Sequence, residues 1–313
     1  MVDEPIAIVG AGMAGAACAR ALADDGHDVV LMDKGRAVGG RMAQRHEGGY
    51  AFDHGAQYIT TREPDFVAAM GAWSAAGAAA VWPGVHAQDG APVWVGTPTM
   101  RAPVEKLLDG LSVTSDRRIA ALAGRSGEWI LHDDQGDRYG PFATIVLAMP
   151  APQAAELLAG TPLRDALNGV RIEPCWSALA AFDGPLDADW SAVRPAKGPL
   201  VWVARNRTKP GRPAAETVTM HAGPHWSIEA LERPADEVAA DLLSAFASLT
   251  GIQAVPVFMT AQRWRYALVT TPLGQKSLWD RDLGIGVCGD WCIGPRIESA
   301  WISGRALAKA ITA

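Results

Sequence analysis

The chain has 313 residues, of which 49% are hydrophobic and 20% charged, so it has the material for a large core and is not a disordered chain. Its formal charge of −6, from 28 Lys and Arg against 34 Asp and Glu, gives no general attraction to nucleic acid or to an anionic membrane. Four cysteines without paired CxxC spacing exclude a disulfide scaffold and predict no metal centre.

The length favours two domains, since domains average roughly 150 residues. No targeting or membrane-spanning segment stands out. We therefore expect a cytoplasmic enzyme with no nucleic-acid and no membrane partner.

The beginning of the chain predicts a strand, a helix and a second strand. Residues 6–9 are a short apolar run, and the glycine pattern GAGMAG (residues 10–15) follows directly. Residues 14–25 are strong helix formers, and residues 28–33 are a second apolar run ending in Asp33. A GxGxxG pattern between a strand and a helix, with an acidic residue about twenty positions later, is typical of a dinucleotide site.

Each residue type in this segment suits a dinucleotide. Gly10 permits a tight turn, Gly12 lets the backbone approach a pyrophosphate, and Gly15 lets the helix pack closely on the strand. The helix N-terminus offers unpaired N–H groups to phosphates, and Asp33 would accept hydrogen bonds from ribose hydroxyls. The residues expected to bind the cofactor here are Gly10, Gly12, Met13, Ala14, Gly15, Asp33 and Lys34.

Two further stretches favour FAD over NAD. Gly39 and Gly40 again allow a close backbone approach, and Arg41 can reach a phosphate or the ring system. Far along the chain, GDW (residues 289–291) closes a predicted strand and precedes a predicted helix over residues 297–312. The extended FAD molecule needs such a second strand end and helix N-terminus, whereas a NAD site does not.

The rest of the chain predicts a second, interwoven unit. Residues 175–223 predict antiparallel strands, and residues 234–250 predict an amphipathic helix. We expect an α/β fold with a discontinuous FAD-binding domain over residues 1–65, 95–150 and 270–313. A smaller α+β substrate domain would take residues 66–94 and 151–269.

Several stretches together resemble the flavin amine oxidase superfamily, and within it the renalase-type family. They are GAGMAG, the following LMDKGRAVGGRMAQR, FDHGAQYIT (52–60), WVARNRTKPGR (202–212), MHAGPHWS (220–227), QRWRYALV (262–269) and CGDWCIGPRIESAWISGRALA (288–308). The similarity covers nearly the whole chain, and FDHGAQY, ARNRTKPGR and GDWC are its most specific parts.

This resemblance implies a Rossmann-like fold of the p-hydroxybenzoate hydroxylase type that holds FAD non-covalently. It implies oxidation of 2- or 6-dihydro isomers of NAD(P) by hydride transfer to flavin N5, with dioxygen as the acceptor and hydrogen peroxide as product. Metabolite repair would be the role. Such a transfer needs no protein acid or base at the reacting carbon, but a flat slot over the flavin and polar groups for the substrate.

The motifs supply candidates for both sites. The further cofactor-binding residues expected are Gly40, Arg41, Met42, His54, Gly55, Ala56, Gln57, Gly289, Asp290, Ile297 and Glu298. The expected walls of the slot, and so the expected catalytic residues, are Tyr58, His221 and Trp291. The expected substrate contacts are Tyr58, Arg205, Arg207, His221, Trp226, Arg263, Trp264 and Trp291. Arg263 and Trp264 are adjacent on a predicted strand, so they face opposite ways, and the sequence does not say which meets substrate.

Residues 205–212 carry four positive charges, and two interpretations remain open: a solvated hairpin, or a clamp for the substrate pyrophosphate or 2′-phosphate. The rival functions are an amine oxidase, a carotenoid or porphyrinogen desaturase, and a flavin-binding sensor without turnover. Cys288 and Cys292 do not lie in the covalent-flavin setting of monoamine oxidases.

Overall fold

A computed structural model describes residues 5–313, which form two principal sheets with helices packed on them. The strands are β1 (Ile6–Val9), β2 (Val29–Met32), β3 (Gln44–Glu47), β4 (Tyr50–Asp53), β5 (Ala79–His86), β6 (Pro92–Gly96), β7 (Val113–Thr114), β8 (Ile119–Ala123), β9 (Trp129–Asp133), β10 (Arg138–Phe142), β11 (Thr144–Leu147), β12 (Arg171–Phe182), β13 (Ala192–Val193), β14 (Leu200–Arg205), β15 (Glu216–Ala222), β16 (Phe258–Thr271), β17 (Leu278–Asp280) and β18 (Ile285–Val287). The helices are α1 (Met13–Asp24), α2 (Pro64–Ala75), α3 (Ala102–Leu107), α4 (Ala151–Leu157), α5 (Pro162–Ala166), α6 (Pro224–Glu229), α7 (Ala235–Thr250) and α8 (Ile297–Thr312).

The first sheet is Rossmann-like. Its strand order is β17-β18-β11-β1-β2-β7, and every pair is parallel except β17 with β18. On one face, Ile6 and Ile8 pack towards α1 and α8. On the other face, Ala7 and Val9 pack towards α4, α5 and the small sheet β8-β9-β10. Burial of both faces explains why β1 is a continuous apolar run.

The second sheet is antiparallel, with the order β13-β14-β15-β12-β16. The helices α6 and α7 cover one face, which we call the helix face; its core includes Trp176, Met220 and Phe246. The opposite face, which we call the slot face, meets β4 of the Rossmann side. There the Thr219 hydroxyl donates to the carbonyl oxygen of Asp53 at 3.0 Å.

The expected α/β fold is therefore confirmed. The main-sheet strands come from residues 6–32, 113–114, 144–147 and 278–287, and the antiparallel sheet from residues 171–271. The domain limits at residues 65, 95, 150 and 270 stay a prediction, and residues 1–4 lie outside the described part. No helix in residues 5–313 is both long and apolar enough to cross a membrane.

The contact between α1 and α8 depends on one glycine. A Cβ atom at Gly304 would collide with the backbone carbonyl of Ala14, which is buried in α1. Because that neighbour is backbone rather than a flexible side chain, the two helices would have to separate.

Gly304→Ala is expected to lower the free energy of unfolding by about 1–3 kcal/mol, as overpacking of a dense core does. Gly71→Ala is the matched control, since Gly71 is also helical but nothing lies within 4 Å of its added Cβ. It is expected to stabilise the protein by up to about 1 kcal/mol. Urea unfolding measures both, and equal stabilities for the two variants would contradict the packing argument.

Candidate functional site

The three glycines of GAGMAG have different surroundings. Gly10 has a φ of 110°, and an added Cβ would lie 2.5 Å from the carbonyl oxygen of Ala148. At Gly15, an added Cβ would collide with the carbonyl oxygen of Gly10. By contrast, an added Cβ at Gly12 meets nothing within 4 Å. Gly10 and Gly15 are thus required by the packing of the chain itself, whereas Gly12 borders open space at the N-terminus of α1, where a phosphate fits.

Asp33 is fixed at the end of β2 by backbone donors. Its Oδ2 accepts from the N–H of Ala11 at 2.6 Å, and its Oδ1 accepts from the N–H of Gly35 at 2.6 Å. Each oxygen keeps a second lone pair, and the side chain is half-buried. The expected bonds to ribose hydroxyls stay a prediction, and Lys34 is exposed beside them.

The second glycine pair lies directly against the first glycine pattern. The N–H of Gly39 donates to the carbonyl oxygen of Ala11 at 2.9 Å. An added Cβ at Gly40 would be 3.5 Å from the Cα of Gly12, and Met42 is buried in the adjoining core. The two glycine-rich turns therefore form one open cradle of backbone, which fits the pyrophosphate of a dinucleotide.

Arg41 and Asp290 form an ion pair that closes the cradle on the C-terminal side. The Arg41 Nη1 and Nη2 atoms lie 2.9 and 2.5 Å from the two carboxylate oxygens of Asp290, and Nη1 also donates to Ala267 at 3.1 Å. Burial alone would lower the pKa of Arg41, but the Asp290 charge raises it above its usual value. The expectation that Arg41 reaches a phosphate or the flavin ring stays a prediction, because its side chain remains 31% exposed while its guanidinium binds Asp290.

Two other residues expected to contact a ligand are buried and bind other parts of the protein instead. Trp291 is 0% exposed, and its Nε1 donates to the carbonyl oxygen of Met149 at 2.9 Å, so it is a core residue and not a wall of the slot. Glu298 is also 0% exposed, and its Oε1 accepts from the N–H groups of Arg62 and Glu63 at 2.6 and 2.7 Å. Neither side chain has surface to offer a ligand, and both expectations are wrong.

The segment 54–57 packs on the carbonyl of Arg41. The N–H of Ala56 donates to that oxygen at 2.8 Å, and a Cβ at Gly55 would collide with it. Gln57 is fully occupied, because its Nε2 donates to the carbonyl oxygens of Asp53 and Gly55 and its Oε1 accepts from Lys209. Gln57 therefore does not serve the flavin as expected.

Asp53 is the residue of this region that sequence reasoning missed. It is buried, and its Oδ2 accepts from Lys209 Nζ at 3.0 Å and from Arg212 Nη2 at 2.8 Å. Burial would raise the pKa of Asp53, but the two cations lower it overall. Burial, with repulsion from Arg212, lowers the pKa of Lys209 to about 8. The motif FDHGAQY contained the only signal, an Asp directly after an apolar strand.

The basic run 205–212 is neither a solvated hairpin nor an open clamp. Arg205 is buried on the helix face, where its Nε and Nη2 donate to Glu216 at 3.0 and 2.7 Å. Lys209 and Arg212 are the partners of Asp53, and only Arg207 is exposed. The expected substrate contact of Arg205 is wrong, because its donors are used inside the protein; that of Arg207 stays a prediction.

Two further expected contacts lie on the helix face. Trp226 belongs to α6 and packs against the core beneath that helix. Arg263 donates to the carbonyl oxygen of Leu231 at 2.7 Å and to Glu232 at 2.6 Å. Both are turned away from the Rossmann side, so the expected substrate contacts of Trp226 and Arg263 are wrong.

The slot face keeps the remaining candidates together. Tyr58 packs on Trp202 with ring centroids 5.1 Å apart, and Trp202 pairs in register with His221. Trp264 donates from Nε1 to the carbonyl oxygen of His54 at 2.8 Å, and the two rings are 4.9 Å apart. An aromatic surface thus forms from residues as far apart as His54 and Trp264, and the contact between these two shows that Trp264 rather than Arg263 faces it.

Both histidines of this region are neutral at pH 7. Burial, reinforced by the positive charge of Lys209, lowers the pKa of His221 to about 4. Burial, reinforced by Arg45, lowers the pKa of His54 to about 4. His221 therefore offers an uncharged imidazole to anything on the slot face, and its Nε2 has no hydrogen-bond partner among the described residues.

Residues 84–312 match the family model described as flavin containing amine oxidoreductase, and residues 8–71 match a NAD(P)-binding Rossmann-like domain. The chain belongs to the flavin containing amine oxidoreductase family.

Solved structures share the fold at low sequence identity. A putative protoporphyrinogen oxidase from Exiguobacterium sp. 255-15 is 13% identical, with a TM-score of 0.75 and 99% of each chain covered. Putrescine oxidase bound to putrescine is 13% identical, with a TM-score of 0.69 and 99% of each chain covered. Cyclohexylamine oxidase from Brevibacterium oxydans IH-35A is 14% identical, with a TM-score of 0.67 and 99% and 98% covered. These likenesses show the fold alone.

One class of curated relatives matches a short segment. The 4,4'-diapophytoene desaturase (4,4'-diaponeurosporene-forming) of Staphylococcus haemolyticus is 50% identical over 50 residues, which are 16% of this chain and 10% of that enzyme. The corresponding Staphylococcus aureus (strain Newman) enzyme is 46% identical over 50 residues. This chain thus covers about a tenth of the length of these relatives.

Gly12→Asp is expected to abolish flavin binding without destabilising the flavin-free protein. The carboxylate would enter the open space at the N-terminus of α1 and repel the pyrophosphate, while an N-cap Asp favours the helix by about 0.3 kcal/mol over Gly. The control is Gly71→Asp, which introduces the same side chain at an exposed position of α2. Flavin content and urea unfolding measure the two effects, and a full flavin complement in Gly12→Asp would refute this assignment.

Asp53→Asn is expected to lower the free energy of unfolding by about 3–5 kcal/mol, because it leaves Lys209 and Arg212 buried without a counter-charge. The control is Asp89→Asn, which removes an exposed ion pair with Arg62 and is expected to lower the free energy of unfolding far less, because the pair is screened by solvent. Chemical denaturation at pH 7 compares them. Equal losses would show that the buried cluster does not need its carboxylate.

Proposed function

We propose that the protein is a FAD-dependent oxidase of the renalase type, acting on 2- or 6-dihydro isomers of NAD(P). The observation that carries this proposal is the composition of the slot face: aromatic rings with neutral polar atoms. Tyr58, Trp202 and Trp264 supply the rings, and His221 supplies an uncharged imidazole. A planar nicotinamide ring with its carboxamide suits such a surface.

The charges around the slot favour an anionic substrate over an amine. The carboxylates of Asp53 and Asp290, which lie against the cofactor motifs, are neutralised by Lys209, Arg212 and Arg41. Neither is free to anchor an ammonium group. An exposed arginine, Arg194, stands beside Tyr58 and Trp202 instead.

The residues of the slot face have positioning roles in this reaction. A bound FAD would supply the acceptor for the hydride and the route for two electrons to dioxygen, so that dihydro-NAD(P), dioxygen and one proton would give NAD(P)+ and hydrogen peroxide. Tyr58 and Trp202 form a rigid wall that holds the dihydropyridine ring flat. Since no proton is transferred at the reacting carbon, a neutral His221 is sufficient to orient the carboxamide.

The cofactor is proposed to be non-covalent FAD. Cys18, Cys288 and Cys292 are each 0% exposed, so they cannot reach a ligand. Burial raises the pKa of the half-buried Cys175 to about 12, which suppresses its nucleophilic thiolate. We likewise propose a cytoplasmic location, a role in metabolite repair, and no nucleic-acid or membrane partner.

A flavin amine oxidase is the second candidate, because one carboxylate on the slot side is unpaired. Glu173 is half-buried on β12, and it has no ion-pair partner within residues 5–313. Alternation along the strand places it on the same face as Ser177, where it would meet an ammonium group.

Anaerobic mixing of the flavin-loaded protein with each dihydronicotinamide isomer, β-NADH, putrescine and benzylamine distinguishes the two functions. Fast bleaching of the flavin visible band by a 2- or 6-dihydro isomer is expected, with slow or no bleaching by β-NADH and the amines. Aerobic turnover should then release one hydrogen peroxide per substrate. Bleaching by an amine alone, lost in Glu173→Gln, would overturn the proposal in favour of an amine oxidase.

A further inference from the structure

Arg194 lies between β13 and β14 with its guanidinium held against two aromatic rings. Its Cζ atom is 4.5 Å from the ring centroid of Trp202 and 5.4 Å from that of Tyr58. Arginine over aromatic faces is attracted electrostatically and by stacking, so the position of the charged group is defined although the residue is exposed.

Four basic residues of the site are used internally, whereas Arg194 is not. Arg41, Arg205, Lys209 and Arg212 each pair with a carboxylate. For Arg194 no carboxylate lies within 4.0 Å anywhere in residues 5–313. Its N–H donors remain available, because the stacking uses the face of the guanidinium and leaves the edge free.

Trp202, on whose ring Arg194 stacks, has two polar side chains beside it on the neighbouring strands. Trp202 pairs in register with His221, and His221 pairs with Ser177, so the three side chains lie side by side across the slot face. Trp202 Nε1, His221 Nε2 and Ser177 Oγ are buried, and none has a hydrogen-bond partner among the described residues. Buried polar atoms are nearly always hydrogen-bonded, and of the three residues His221 is the half-buried one, so its free Nε2 independently indicates a polar ligand.

We propose that Arg194 binds the phosphate of the dinucleotide substrate, while the half-buried His221 hydrogen-bonds its nicotinamide carboxamide. The inference rests on the proposed function and adds a specificity-determining residue to it. The free edge of the guanidinium donates to phosphate oxygens, and the stack on Trp202 and Tyr58 fixes the distance from that phosphate to the ring. Arg194 thereby selects phosphorylated dihydronicotinamides over the corresponding ribosides.

The test compares substrates with and without phosphate in Arg194→Gln and Arg194→Lys. Arg194→Gln is expected to raise KM for the dihydro dinucleotide about 10- to 100-fold, the range for loss of a charge-assisted hydrogen bond. The limiting rate of anaerobic flavin reduction should change little, and KM for the dihydronicotinamide riboside should not change. Arg194→Lys should recover part of the loss, since it keeps the charge without the fork.

Arg138→Gln is the control, because it removes an equally exposed arginine on β10, outside both principal sheets. It should leave both KM values unchanged. Equal losses for dinucleotide and riboside in Arg194→Gln would show that Arg194 only supports the rings, and an unchanged KM would also overturn the proposal.

The experiment separates failure of this inference from failure of the proposed function. If no dihydro isomer bleaches the flavin, the proposed function fails. Inorganic pyrophosphate then serves as the probe, with tryptophan fluorescence as the readout. Saturable quenching in the flavin-loaded protein, lost in Arg194→Gln and kept in Arg138→Gln, would sustain an anion site at Arg194, and no difference between the variants would refute it.

Discussion

The arrangement of the site depends on the buried carboxylate of Asp53. It ends β4 on the Rossmann side, and it holds Lys209 and Arg212, which follow β14 of the antiparallel sheet. A buried ion cluster is not by itself a source of stability, because desolvation offsets the attraction. The cluster joins the two sheets in a placement that satisfies all three charges. That placement brings Tyr58 against Trp202 and His54 against Trp264, and so creates the slot face.

The Arg41–Asp290 pair acts similarly on the cofactor side. These residues are 249 positions apart, and their bidentate contact joins the second glycine turn to the strand end before α8. An arginine and an aspartate in such motifs look like ligand-binding residues, yet here the guanidinium and the carboxylate bind each other. The backbone N–H groups around Gly12 and Gly40 are accessible to the cofactor, because there is space beside both glycines. In this family member, charged motif residues shape the cradle and glycines make it accessible.

The sequence predicts the elements well and the direction of side chains less well. Apolar runs and GAGMAG determine β1, α1 and β2, because both strand faces are buried and the glycine spacing has few uses. The expected ligand contacts of Trp291 and Glu298 are wrong, because closeness to a motif does not say which way a side chain turns. A short 3-10 turn at Asp290–Cys292 directs Trp291 into the core. Neither interpretation of the run 205–212 describes its buried residues, because their counter-charges, Asp53 and Glu216, come from other strands. The alternation of side chains along a strand puts Arg263 and Trp264 on opposite faces of the sheet. The sequence does not show that α6 and α7 cover the face of Arg263.

The topology also constrains how the protein is made. Strand β11 pairs on one side with β1 and on the other with β18, whose residues come about 140 positions later. Asp290 and α8 are synthesised later still. At about 5–20 residues per second, tens of seconds pass between completion of GAGMAG and arrival of its C-terminal partners. During translation the nascent chain therefore carries β11 with one unpaired edge, and the cofactor is captured only when nearly all of the sequence has left the ribosome.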